Sequence, residues 1–376
     1  MHIIPSGIED RRMIADFARA GSTAAAAYPC CPPRLEFELK EHLSPKNPYF
    51  KTARTRFFVA YDHNRPVGRI SAQIDEQNPH TQNGKIGHFG FCAAREKEVF
   101  KALVNEAENW LKQNGCIRIS GPYSLSINDE VGLLINGFER APRIMMNYAP
   151  EWMGRTLEES GYNGIKDLLA YDLAASSPLP RAAETMIRHA RNSKEISIRP
   201  VRLNALHDDL EIIRGIFNRG WAQNWGFIPM EKEDITYMAS TIKPILDPDL
   251  AHIAFVNGTP AAMIVALPDI NDAIEDLNGR LLPFGWARLL WRAKVRKLKS
   301  ARVLLMGIAP EYQSGVFGSA LSLLMISEVF DAVREKNMEV VELSWILEDN
   351  EAIKRLIETI GGVVTRRYRI FDKKLT

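Results

Sequence analysis

The sequence is short of the residues that would mark several common protein classes. Only four of its 376 residues are cysteine: Cys30, Cys31, Cys92 and Cys116. An adjacent pair and two singletons fit neither a disulfide framework nor a zinc-ligand spacing, so reduced thiols of a cytoplasmic protein are expected. The eight histidines are scattered, without an HExxH or HxxxH pair, and no metal is expected. No stretch approaches the ~18 consecutive apolar residues of a membrane span. The opening segment MHIIPSGIEDRRMIADF mixes acids and bases among its apolar residues, so no signal-peptide core is expected. An excess of one charge is lacking too: 48 Lys and Arg face 46 Asp and Glu, for a net charge of +2. A global electrostatic grip on DNA or RNA is therefore not indicated.

What the chain does have is length, and an ordinary globular composition with 46% hydrophobic and 25% charged residues. It is too long for one domain of roughly 100–200 residues, so two domains or one fold built twice is the better expectation. The two halves end alike. Trp152–Ser160 reads as a short amphipathic helix stopped at Gly161, followed by an alternating strand over Lys166–Leu173. Asn350–Ile360, stopped at Gly361-Gly362, is followed in the same way by Arg367–Lys373. Before each lie a strand, a longer helix and another strand: Lys85–Ala93, Arg95–Asn114 and Cys116–Ser120 in the first half, Arg302–Ile308, Gly318–Lys336 and Glu339–Trp345 in the second. Each half also opens with a helix (Ile8–Ala20, Leu206–Arg219) and a strand pair (Arg56–Tyr61 with Val67–Ile74, Ala251–Val256 with Ala261–Ala266). The same order thus recurs at an offset of about two hundred residues. Residues 1–175 and 195–376 are the expected domains, and 176–194 the linker, whose Ala-Ala-Ser-Ser-Pro-Leu-Pro breaks regular structure before a helix over Arg181–Arg191.

The chemistry is concentrated where strand Val303–Ile308 runs through Ala309 into Gln313-Ser314-Gly315-Val316-Phe317-Gly318-Ser319 and a long helix. Small residues let backbone N–H groups converge at a helix start, where the helix dipole adds positive potential, so the expected guest is a pyrophosphate. The first half instead runs into Ala94-Arg95-Glu96-Lys97-Glu98, whose acids suit the dipole and repel an anion.

These segments resemble the acyl-CoA-binding motif of the GNAT superfamily of N-acetyltransferases, where Gln/Arg-x-x-Gly-x-Gly/Ala opens the helix after the fourth strand. Gln313 fills the first position and Gly318 the last, while Val316 stands at the middle glycine. The next motif, a strand followed by Asn-x-x-Ala and a helix ending in glycine, is matched by Glu342–Trp345, Asn350, Ala352 and Gly361-Gly362. Its usual general-acid tyrosine is replaced by Ile357, which leaves water, a backbone group, Tyr368 or Tyr312 as proton donor. Gly121–Gly132, Trp221–Phe227 and Glu342–Asn350 resemble more narrowly a bacterial family of tandem GNAT-like proteins associated with ceramide synthesis, many of them known only as N-acyltransferases. The resemblance implies an α/β (α+β) fold with mixed, mostly antiparallel sheets flanked by helices. It also implies a donor acyl-CoA (acetyl or long-chain) bound by Ile308, Ala309, Gln313–Ser319 and Asn350, and an amine acceptor, for the narrower family a sphingoid base.

Acyl transfer to an amine needs a base and a polarised thioester carbonyl. Glu342 is the candidate base, and Ser344, next on the same strand face, the candidate partner of amine or carbonyl. Asp269 is a rival base or else a turn residue after Pro268, Asn350 also reads as a helix cap, and Trp221, Asn224 and Trp225 are candidates for the acceptor site. In the first half Asn128 and Glu130 read either as reaching a cleft between the halves, which the N-terminal half would complete, or as a capped helix start. From Arg280 to Arg302, both included, there are eight Lys or Arg residues and no acid; Arg288, Arg292 and Arg296 share one helical face beside Trp286, Leu289 and Leu290. That pattern fits an interfacial helix on anionic lipid, hence peripheral contact with the inner membrane surface. The alternatives are a Fem-type aminoacyltransferase using aminoacyl-tRNA and a non-catalytic acyl-CoA-binding or lipid-sensing protein.

Overall fold

The structure, a computed structural model, describes residues 1–31, 36–76, 84–271 and 298–375. Of these, 1–168 and 366–375 form one compact unit, and 169–271 and 298–365 form the other. The division falls inside two strands, so each unit takes one strand from the far end of the other's chain segment. The stretch expected as a linker carries a helix over Arg181–Arg191.

The first unit runs β1 (His2–Ser6), α1 (Arg11–Ala25), α2 (Glu36–His42), β2 (Ala53–Asp62), β3 (Arg65–Asp75), β4 (Ile86–Ala94), α3 (Lys97–Gln113) and β5 (Arg118–Gly121). Short strands β6 (Tyr123–Ser124), β7 (Glu130–Val131) and β8 (Leu133–Asn136) follow, then α4 (Glu151–Glu159) and the start of β9 (Asn163–Ala174). Asp10 starts α1 by accepting the N–H groups of Arg12 and Met13. The β2–β3 hairpin closes on His63 and Asn64, both at positive φ, the backbone that a two-residue turn between twisted strands needs. Neighbouring strands follow the order β1-β2-β3-β4-β5, antiparallel except for the parallel β4–β5 pair, and the chain's final strand lies beside β5. Helices α1 and α3 both pack on β3.

The second unit repeats this plan with α5 (Arg181–Arg191), β10 (Ile196–Pro200), α6 (Leu206–Gly220), α7 (Lys232–Ile242), β11 (Ala251–Val256), β12 (Thr259–Pro268), β13 (Ser300–Ile308), α8 (Gly315–Glu335), β14 (Val340–Leu347), α9 (Glu351–Thr359) and the start of β15 (Val363–Lys374), whose remainder belongs to the first unit. The order is β10-β11-β12-β13-β14, again antiparallel except for the parallel β13–β14 pair. Its central strands are buried on both faces. Ile253, Met263 and Val265 meet Ile213, Ile216 and Phe217 of α6, while the alternate residues Ala254, Ala262, Ile264 and Ala266 meet Leu321, Leu324 and Phe330 of α8. Helix α8 is long and apolar enough to cross a membrane, yet most of it is enclosed by this core.

Candidate active site

The site begins with a ladder that stops early. β13 and β14 pair only from Ser300↔Val340 to Val303↔Leu343, although the strands continue to Ile308 and Leu347. A bulge on the other edge of β13 coincides with the parting: Val265 pairs with Leu305 and Ala266 with Val303, which leaves Leu304 as an extra residue. Beyond that point residues 304–306 and 345–347 are half-exposed, whereas 300–303 and 341–344 are buried. Half of the β13 backbone groups over 304–308 thus have no ladder partner on the β14 side. One of them is taken: the Trp221 indole Nε1 donates to the Met306 carbonyl at 2.9 Å.

From Ile308 the chain turns through Pro310–Tyr312 into α8. Ser314 is the cap residue, but its side chain makes no capping bond, so the first-turn amides of Gly315, Val316 and Phe317 have no intrahelical acceptor. All three residues are exposed and no acid lies in that turn. The Gln313 Nε2 donates to the carbonyls of Ile308 (2.8 Å) and Gly220 (3.1 Å), pinning the loop to the ends of β13 and α6. Gly318 is where the loop crosses closest: a Cβ there would lie 2.2 Å from the Gln313 carbonyl oxygen and 2.8 Å from that of Tyr312. Gly315, at φ +70°, supplies the left-handed residue that turns the chain into the helix. A rigid, exposed row of uncapped amides at a positive helix end can hold a diphosphate.

Just below the parting, three buried side chains and the half-exposed Trp345 form a cluster. Arg302 and Glu342 face each other in the parallel register, 2% and 0% exposed, with Nε and Oε1 3.6 Å apart. The Ser344 hydroxyl donates to Glu342 Oε1 at 2.6 Å and accepts from Arg302 Nε at 2.8 Å. The Arg302 guanidinium lies over the Trp345 ring at 4.7 Å, and the Trp345 Nε1 is enclosed without a hydrogen-bond partner. This fixed charge pair ends where the open edge begins.

No family model matches the chain. Protein YghO of Escherichia coli (strain K12) is 39% identical to it over 360 residues, covering 93% of this chain and 91% of that protein. The bacterial ceramide synthase of Caulobacter vibrioides (strain NA1000 / CB15N) is 37% identical over 344 residues, covering 91% and 89%. The chain belongs to the family of these two proteins. Among solved structures, a tandem GNAT protein from the clavulanic acid biosynthesis pathway covers all of this chain with a TM-score of 0.59 at 10% identity, which establishes the tandem GNAT fold.

In this GNAT frame the expected residues fall into three groups. Ile308, Ala309, Gln313–Ser319 and Trp221 are brought together at the start of α8 and the open edge of β13, with Glu342 and Ser344 directly below. Within that group the exposed Gln313 and Ser319 bond nearby backbone, the Ser319 Oγ donating to the Gly315 carbonyl. Asn224 and Trp225 lie on the turn after α6, half-exposed, with the Asn224 N–H bonded to the Trp221 carbonyl. Asn350 caps α9 through the Ile353 N–H at 3.4 Å. Asp269 stands apart: it is 1% exposed, bonds Ser300 and the Asn271 N–H, and sits where β13 starts, at the opposite end from the loop. Ile357 is enclosed in the core, as is Tyr368 in the first unit, whereas Tyr312 lies on the loop beside Phe317. Arg288, Arg292 and Arg296 lie outside the described residues. Arg302, counted with them in the basic run, is not a surface base but the buried partner of Glu342.

The helix start of the first unit is built differently. Its parallel pair leads into α3 through Glu96, which makes no side-chain cap bond, and Glu98 lies in the first turn. The Arg95 N–H is taken by the Val67 carbonyl. Among the described residues no cluster of three or more His, Cys, Asp and Glu is arranged for a metal.

Proposed function

We propose that the protein is an acyl-CoA-dependent N-acyltransferase whose second unit holds the donor, and whose acceptor is a long-chain amine of the sphingoid-base class. The observation that carries the reading is the parting of β13 and β14 immediately before the uncapped start of α8. A pyrophosphate would rest on the amides of Gly315, Val316 and Phe317. The extended arm of the donor would lie along the open edge of β13, with strand-like bonds to its backbone. The exposed Val316 and Phe317, 77% and 38% exposed, would face an apolar ligand or surface rather than water. The name of the Caulobacter relative supports a ceramide-type product.

In the reaction the neutral amine attacks the thioester carbonyl, a C–N bond forms, the C–S bond breaks, one proton leaves the nitrogen and one reaches the thiolate. Ser344 and Glu342 are the groups proposed to take the first proton. Glu342 is wholly enclosed, so it acts through the Ser344 hydroxyl that already donates to it, while Arg302 holds both in place. Tyr312, on the donor loop, is proposed to supply the second. The basic run around Arg288, Arg292 and Arg296 is proposed to rest on anionic lipid at the cytoplasmic face, where both substrates would be found.

A second reading, an acyl-CoA-binding protein without turnover, is favoured by Ile357, buried at the position of the superfamily's usual proton donor. Turnover decides between them. With palmitoyl-CoA and sphinganine, the enzyme reading expects free thiol and N-acyl amide in equal amounts, dependent on the amine. Donor binding with no thiol release for any long-chain amine would leave the binding protein.

A further inference from the structure

The first unit, though it has lost its anion loop, keeps a cavity. One face of α1 carries Ala18, Gly21, Ser22 and Ala25, at helical spacing, where a packing helix ordinarily places Leu or Ile. The end of β4 opposite it, Ala93-Ala94, is equally small. Between them lies a cavity open to solvent, with Leu39 and Met153 among its apolar walls.

Its buried charge is positive. Arg69 on β3 lines the cavity and is 6% exposed. Its Nε donates to the Phe91 carbonyl and its Nη1 to the Phe17 carbonyl, each at 3.2 Å, and its guanidinium lies 5.1 and 6.0 Å from the rings of Phe17 and Phe91. The chain makes room for it: a Cβ on Gly21 would come within 2.5 Å of the guanidinium carbon. A cation held rigidly in an apolar wall acts through a low local dielectric, so its attraction for an anion is screened far less than at the surface. Two carboxylates share the lining. Glu36 is bridged by Lys40 at 3.4 Å, and Glu130 is half-exposed as a residue with its Oε2 enclosed. One buried positive charge with a carboxylate nearby suits a monoanion and disfavours a phosphate dianion.

Position points the same way. By element order α1 corresponds to α6 and β4 to β13, so the cavity is the counterpart of the place where Trp221 meets Met306 in the second unit. The missing loop removes the site for a nucleotide diphosphate and leaves the place for what such a carrier would deliver. We propose that the first unit binds a single-chain carboxylic acid, its carboxylate on Arg69 and its chain along the small-residue face of α1. The positional argument rests on the donor-binding reading of the second unit, whereas the cavity and the buried Arg69 do not.

The test uses the full chain and three probes of equal chain length: dodecanoate, dodecylamine and dodecanol, titrated calorimetrically. Dodecanoate is expected to bind one site more tightly than either other probe. Ser22→Phe, which fills the cavity without touching Arg69, should weaken dodecanoate about tenfold or more. Arg69→Gln should weaken dodecanoate by a similar factor and leave dodecanol within about threefold, a contrast that a mere loss of folding would not give. Gly318→Ala, aimed at the other unit, should leave dodecanoate binding intact. Equal or tighter binding of dodecylamine, indifference to Ser22→Phe, or loss of dodecanoate binding in Gly318→Ala would each overturn the proposal.

Discussion

Gly318→Ala is the smallest change that tests the loop. The added Cβ would stand 2.2 Å from the Gln313 carbonyl oxygen, 2.4 Å from its carbon and 2.8 Å from the Tyr312 oxygen. All three are backbone atoms and cannot rotate aside, so the loop must move by about 1 Å to restore ordinary contact. Gln313 is the residue whose side chain pins the loop to Ile308 and Gly220, so the displacement is carried into the row of amides at Gly315–Phe317. A misplacement of about 1 Å in a positioned site costs on the order of a hundredfold, or roughly 2.7 kcal/mol. The fold should survive, because Gly318 is in the first turn of a helix whose remaining length is enclosed; overpacking of this kind costs ~1–3 kcal/mol. Calorimetric titration with palmitoyl-CoA should therefore show affinity about a hundredfold weaker, beside a melting point lowered by only a few degrees. Gly315→Ala is the control. Nothing lies within 4 Å of a Cβ there, so its cost is confined to the positive φ, about 1–2 kcal/mol. Wild-type affinity in Gly318→Ala would refute the role assigned to the loop.

Other consequences follow from the second unit. Asp209 is wholly buried and accepts from Arg199, Arg202 and the Arg202 N–H; burial alone would raise its carboxyl, but these bonds hold it well below the usual range. Its folded pKa is depressed, so its stabilisation is complete above about pH 4 and is lost as pH falls toward the folded value. Asp209→Asn should thus cost roughly 3 kcal/mol at pH 7 in urea unfolding and much less near pH 2. Trp221→Phe removes the bond to the Met306 carbonyl while keeping the ring against Phe217; the KM for acyl-CoA should rise about fivefold, with stability lowered by ~1 kcal/mol. Replacing Arg288, Arg292 and Arg296 together by Gln should weaken sedimentation with phosphatidylglycerol vesicles by at least about tenfold; undiminished binding would make that run a solvated edge.

Much of the fold was legible because amphipathic periodicity reports which residues are enclosed, and the same order of periods occurs twice. The Asn350 cap was legible for a similar reason: a few local atoms decide it. The placing of β15 beside β5 was not, since alternation in a strand tells which face is buried and never which strand is the neighbour. Arg302 was hidden by the same limit. One base and one acid on separate strands become a pair only when the parallel register sets Arg302 opposite Glu342, and the run of bases before it made it look like surface. Gln313 shows a subtler gap: the motif position was readable, but its side chain holds the loop in shape by turning back onto Gly220 and Ile308.

The central claim is that one of two like units has kept an anion-binding helix start. Hydrogen–deuterium exchange of the full chain, with and without coenzyme A, reads both starts in one experiment. The account predicts slowed exchange in peptides covering 304–319 and no change in those covering 94–99. Protection at 94–99, or at neither start with coenzyme A bound, would contradict it.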